Sequence, residues 1–96
     1  MFLLYEQEAA TAVVKTAANL AVPVAATHVE LQASANHVSY TMDATTNPTQ
    51  TAGMFLLTTE RPQMFLAEDV RRIRFVRGAA GDGALNCHYY SGNPNV

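Results

Sequence analysis

Tryptophan is absent from this sequence, cysteine and lysine occur once each, and charged side chains make up only 15% of 96 residues. Each scarcity excludes something. A lone Cys87 cannot close an intrachain disulfide, so no covalent framework replaces a hydrophobic core and composition gives no argument for secretion. Set in Ala84-Leu85-Asn86-Cys87-His88-Tyr89-Tyr90, it reads as a small core residue of a strand rather than a nucleophile, which would need a base partner and a depressed pKa. No apolar run approaches the roughly 20 residues of a membrane helix. The opening Met1-Phe2-Leu3-Leu4 is broken by Glu6 and Glu8 and lacks the basic lead of a signal peptide. Synthesis and residence in the cytoplasm are therefore expected unless an assembly carries the chain elsewhere, and no membrane partner is expected.

Basic charge is also scarce. The formal net charge is −2, with Lys15 against Glu6, Glu8, Glu30 and Asp43 in residues 1–50 (−3), and five arginines against Glu60, Glu68, Asp69 and Asp82 in the remainder (+1). Broad capture of nucleic acid needs several cations on one face to displace counterions, so nucleic acid is not an expected partner. Motifs of chemistry are missing as well. There is no G-x-S-x-G elbow, no Walker loop, no G-x-G-x-x-G after a strand and no pair of carboxylates in a shared environment. His28, His37 and His88 have neither helical pairing nor a C-x-x-C companion and read as surface histidines. Asp43 with Thr45 or Asn47 supplies too few carboxylates for calcium and reads as an Asx turn. Gly78 to Gly83 lacks a lysine and a following helix, so it reads as a hairpin connection rather than a phosphate cradle. No enzyme activity, cofactor or metal is expected.

Alternation is what the sequence does contain. His28-Val29-Glu30-Leu31-Gln32-Ala33 places Val29, Leu31 and Ala33 on one face of a strand, and His37-Val38-Ser39-Tyr40-Thr41-Met42 repeats the rhythm with Val38, Tyr40 and Met42 inward. The turn residues Ser34-Ala35-Asn36 between them predict an antiparallel hairpin over 28–42. Asp43 to Gln50 has no core anchor and is expected to be a surface loop and mobile tip. The continuous run Gly53 to Thr59 predicts a buried strand, Glu60-Arg61-Pro62 a turn, and Gln63 to Ala67 another strand. Glu68 to Arg71 predicts a single helical turn, acids leading and bases trailing as the helix dipole favours. Arg72 to Arg77 alternates with Ile73 and Phe75 inward, and Ala84 to Tyr90 with Leu85, Cys87 and Tyr89 inward. Residues 9–20 are rich in alanine, yet Thr11, Val13, Val14 and Thr16 are β-branched and Pro23 closes the segment, which favours strand over helix.

About seven short strands with turn signals every ten residues or so predict one all-β domain over residues 1–96, an antiparallel β-sandwich of jelly-roll or immunoglobulin-like topology. Ser91 to Val96 is expected to be a tail.

Arg71, Arg72, Arg74 and Arg77 form the most distinctive charged feature. Arg72, Arg74 and Arg77 are expected to project outward from one strand, either as a solvated face or as a docking strip for an acidic neighbour, since arginine forms bidentate pairs with carboxylates and tolerates partial burial. Glu30, Glu60, Glu68 and Asp69 are the candidate counterparts across such an interface. The scarcity of Lys and Glu elsewhere leaves a neutral surface suited to lying against other protein. A sugar-binding role competes, but with tryptophan absent and Tyr40, Phe55, Phe65 and Phe75 assigned inward, only Tyr5, Tyr90 and Tyr89 remain as platforms.

Ala26 to Ala33, Val38 to Asp43, Pro48-Thr49, Gly53-Met54, Asp69 to Val76 and Leu85 to Tyr90 together resemble small virion-associated proteins of tailed bacteriophages over about residues 11–90. Ala44 departs from that pattern, standing where the group carries a turn glycine. The resemblance implies a virion component of the capsid decoration or cement type, made in the host cytoplasm, partnered by the major capsid protein and assembled as a dimer or trimer. A head-tail, tail or fibre-associated module is the other role it allows. It designates no catalytic residue.

Overall fold

A computed structural model describes residues 1–96. The strands are β1 (Phe2–Ala10), β2 (Lys15–Thr16), β3 (His28–Ser34), β4 (Val38–Thr41), β5 (Met54–Leu56), β6 (Gln63–Leu66), β7 (Arg74–Arg77) and β8 (Gly83–Tyr90), with one helical turn, α1 (Ala67–Val70), between β6 and β7. They form two four-stranded sheets, β1-β8-β3-β6 and β2-β7-β4-β5. First pairs with last, second with seventh, third with sixth and fourth with fifth, all antiparallel. That nesting is a long hairpin folded over on itself, closed by the β3–β8 and β4–β7 ladders. The β-sandwich is therefore a jelly roll. An immunoglobulin arrangement pairs its first two strands in one sheet, whereas β1 and β2 lie in different sheets here.

The alternating segments do put their apolar sides inward. Val29, Leu31 and Ala33 of β3 and Leu85, Cys87 and Tyr89 of β8 face Val38 and Tyr40 of β4 and Phe75 of β7, with Ile73, Val70 and Ala67 closing one end. Each large side chain so buried contributes about 1.5–3 kcal/mol against the entropy of ordering the chain.

Several local expectations are corrected. Residues 28–42 are not a hairpin, because β3 and β4 belong to opposite sheets and Ser34 to His37 is an arch between them. Gly78 to Gly83 likewise connects β7 of one sheet to β8 of the other. Alternation specifies which face a side chain takes but not which strand is its neighbour. The two arches pack together: Asn36 Nδ2 donates to Asp82 O at 2.8 Å and Gly78 N to His37 O at 2.8 Å. Gly83 is required by that approach, since a Cβ there would lie 2.6 Å from Asn36 O.

The strand expected over residues 9–20 is broken. β1 ends at Ala10, Lys15–Thr16 form a two-residue strand, and Ala17–Asn19 make a 3-10 turn. Thr16 Oγ1 accepts from Ala18 N and Asn19 Oδ1 from Thr16 N, local bonds that compete with a ladder. The strand that raises the count to eight is β1 itself, whose inward positions carry Glu6 and Glu8 and so escape a hydrophobic pattern.

Gly53 to Thr59 is not a buried strand. Only Leu56 is buried in β5, which is the outer strand of its sheet. Residues 43–53 are anchored rather than a free tip. Pro48 is buried, Ser39 Oγ donates to Ala52 O at 3.1 Å, and the segment lies over the outer side of the β2-β7-β4-β5 sheet, where Ser39 and Val76 are both buried.

Candidate functional site

Period two decides where the arginines go. Arg74 opposes Thr41 and Arg77 opposes Val38 across the β4–β7 ladder, so Arg77 shares the inward side of Phe75 and Val38 rather than the outward side expected for it. It sits half-buried at the rim, Nη1 on Asp82 Oδ1 at 2.9 Å, with Nε buried and unpaired. Arg74 points outward but is spent on its own chain. Nη1 donates to Asn47 Oδ1 at 2.6 Å and Thr45 O at 3.2 Å, and Nη2 to Ala44 O at 2.6 Å. Arg71 caps α1 and reaches the carbonyls of Pro23 and Ala26, each at 3.1 Å, and of Val24 at 3.4 Å. Arg72 makes an exposed pair with Glu68 at 3.1 Å, of a kind that contributes little.

The four arginines do not form one outward row. Arg71, Arg74 and Arg77 stitch loops to the sandwich, and Arg72 stands apart after α1. Glu30 is on the opposite sheet, on its outer face, with His88 Nδ1 3.6 Å away. Of the other acids, Glu60 accepts from Gln63 Nε2 at 2.7 Å and Glu68 is held by Arg72.

Beneath Arg74, Asp43 makes the Asx turn its sequence suggests. Oδ1 accepts from Thr45 N and Thr46 N at 3.0 and 2.8 Å, and Oδ2 from Thr46 Oγ1 at 2.6 Å. The Thr46 hydroxyl first, and then these amides, hold the Asp43 carboxyl well below the usual carboxylate range. Ala44 takes φ +65°, a left-handed conformation that costs a side-chain-bearing residue about 1 kcal/mol or more.

The two open sides of the sandwich differ in chemistry. On the β1/β2 side, Glu6 opposes Cys87, Glu8 opposes Leu85 and Lys15 opposes Phe75, so all three charged side chains point toward the core. Lys15 Nζ binds Glu8 Oε2 at 2.8 Å and Ala9 O at 2.7 Å; Glu6 accepts from the Tyr89 hydroxyl and from Ala21 N. Inward charge of this kind keeps an edge from pairing with another chain. On the β5/β6 side there is no such guard. Leu56 and Phe65 turn inward, Phe65 standing edge-on to Tyr40 at 5.9 Å, while Met54 (63%), Phe55 (38%), Leu57 (36%) and Leu66 (52%) remain exposed. A run greasy enough to be buried on both faces is thus covered on one.

The histidines also separate. His37 Nδ1 accepts from Thr58 N at 2.9 Å and fixes the turn after β5, a structural task that sequence spacing does not reveal. His28 and His88 lie on the outer face of β3 and β8. No group of three or more His, Cys, Asp or Glu side chains is placed to hold a metal. Cys87 is fully buried, and desolvation pushes its thiol up to about 12. No helix is long and apolar enough to cross a membrane.

No protein-family model, curated protein or solved structure matches the chain.

Proposed function

We propose that this protein is a structural component of a virus particle, a decoration or cement protein that binds the major capsid protein of a tailed-phage head and reinforces its subunit junctions as a homo-oligomer. The observation that carries the reading is the asymmetry of the two edges, one blunted by inward Glu6, Glu8 and Lys15 and the other leaving Met54 and Phe55 exposed along β5, Leu57 exposed just after it and Leu66 exposed on the outer face of β6. An unpaired strand with uncovered apolar side chains is a liability in a free monomer and an asset in a protein that spends its working life against a neighbour. The occupant suited to it is a neutral, apolar protein edge, because the exposed side chains of β5, Met54 and Phe55, and Leu57 after it are uncharged. Low overall charge fits the same use, and jelly rolls recur in viral shells, which is an argument by analogy. Repetition over a symmetric lattice multiplies a modest contact into a large reinforcement.

The test is quantitative mass spectrometry of purified particles from the source. A cement protein is expected at on the order of hundreds of copies, as lattice symmetry requires, and about a dozen or fewer would assign it to the tail or connector instead. In rebinding to stripped particles, Phe55→Asp is expected to keep a native spectrum and lose occupancy. Full occupancy by that variant would remove the β5/β6 edge as the contact.

A further inference from the structure

The outer face of the β1-β8-β3 sheet carries a groove that the particle role does not use. Its volume is about 330 Å³, at the lower end of the range for small-molecule sites. Strand register builds it in rows. Tyr5 lies beside His88 and His88 beside Glu30, while Gln7, Asn86 and Gln32 form the next row, and Pro62 closes one wall.

Asn86 is the organiser. Its Oδ1 accepts from Tyr5 Oη at 3.1 Å and Gln7 Nε2 at 2.9 Å, and its Nδ2 donates to Ser34 Oγ at 2.9 Å. The Tyr5 ring is therefore held at both ends, by that bond and by edge-to-face contact with His88 at 5.2 Å. The ring is half exposed. Around this fixed ring stand groups with capacity left over. The Gln32 side-chain amide is exposed and makes no hydrogen bond within the chain, and Glu30 offers carboxylate oxygens to the groove beyond its 3.6 Å approach to His88.

We propose that this groove binds a neutral saccharide, with a pyranose ring face on Tyr5 and its hydroxyls on Glu30 and Gln32. The lining selects the chemistry. One hydrophobic residue among the seven that form the groove is too few for an apolar ligand. An anion would meet the Glu30 carboxylate with no Lys or Arg in the groove to offset it. A metal ion would find a single carboxylate. A polyhydroxylated ring with an apolar face satisfies both kinds of group, because a carboxylate accepts strongly from hydroxyls, an amide both donates and accepts, and an aromatic face covers C–H bonds. Pre-organisation by Asn86 lowers the entropy lost on binding. The groove adjoins β6, since Pro62 precedes that strand and Met64 opposes Glu30, but its binding groups come from β1, β3 and β8, and it stands whether or not the chain belongs to a particle.

The experiment is a nuclear magnetic resonance titration of the full chain with neutral oligosaccharides of glucose, galactose, mannose and N-acetylglucosamine, with choline and sialic acid as comparison arms. At least one neutral sugar is expected to shift the amides of Tyr5, Glu30, Gln32 and His88 saturably. Tyr5→Ala is expected to weaken that binding about tenfold. Gln32→Ala, which removes no internal bond, is expected to weaken it severalfold while leaving the rest of the spectrum unchanged. The proposal is overturned by an absence of saturable shifts with every neutral sugar, by binding that both variants leave intact, or by saturation with choline or sialic acid alone.

Discussion

Cys87 shows how a residue's neighbours decide its chemistry. In the sequence it stands among polar and aromatic side chains, yet register sets it between Glu6 of β1 and Leu31 of β3, fully buried. Burial raises the thiol to about 12, and burial first and the bond to Glu6 second raise the Tyr89 hydroxyl as well. Both groups are neutral in the folded chain and ionise more readily once unfolded, so their contribution is complete below the ordinary thiol range and is lost as pH climbs toward the folded values. The native protein is expected to leave a thiol reagent unreacted at pH 8 and to react with one equivalent on denaturation. Its urea midpoint should fall as pH rises above about 9. Rapid labelling of the folded chain would contradict this placement.

Elements explain what became of the arginine run. Arg74, on β7, spends its donors on Ala44, Thr45 and Asn47, tying residues 43–53 down over Ser39 and Val76. Arg74→Glu, which an outward docking strip would tolerate, is expected to cost about 1–2 kcal/mol, because bonds to a charged donor in a partly exposed setting are lost. Amide hydrogen exchange across residues 43–53 should rise at least severalfold while β3 and β8 stay protected. Uniform protection would show that the loop is held by Pro48 and Ser39 alone. The sequence marks Arg74 as outward correctly, because period two follows from Ile73 and Phe75. What it cannot mark is a loop ending 21 residues earlier in the chain coming back over that same face, as Arg74 and Gly53 do here.

At the scale of the molecule, the core joins the two sheets through few large side chains, with Phe75 and Tyr89 the largest that are fully buried. Phe75→Ala is expected to cost about 3–5 kcal/mol. That is a large share of the roughly 5–10 kcal/mol available to a domain of this size, so denaturation should show a molecule largely unfolded at physiological temperature. A small shift in midpoint would mean that the sheets collapse onto the gap. At the same scale the two proposed surfaces meet at β6, yet Phe55 of β5 and Tyr5 of β1 lie in different sheets, so each surface is altered alone by a substitution at its own residue.

Period-two alternation in β3, β4, β7 and β8 was enough, by itself, to make this an all-β sandwich and to name most of its inward residues, because the pleat alone puts every second side chain on one face. Tertiary structure alone decided the jelly-roll order, the arches in place of hairpins and the extra strand β1, since pairing between residues as distant as Phe2 and Tyr90 has no local signature. It also decided which surfaces are free. Charge that looked available in Arg74 and Arg77 was consumed internally, and apolar side chains that looked buried in β5 were left outside, because exposure depends on what the rest of the chain covers.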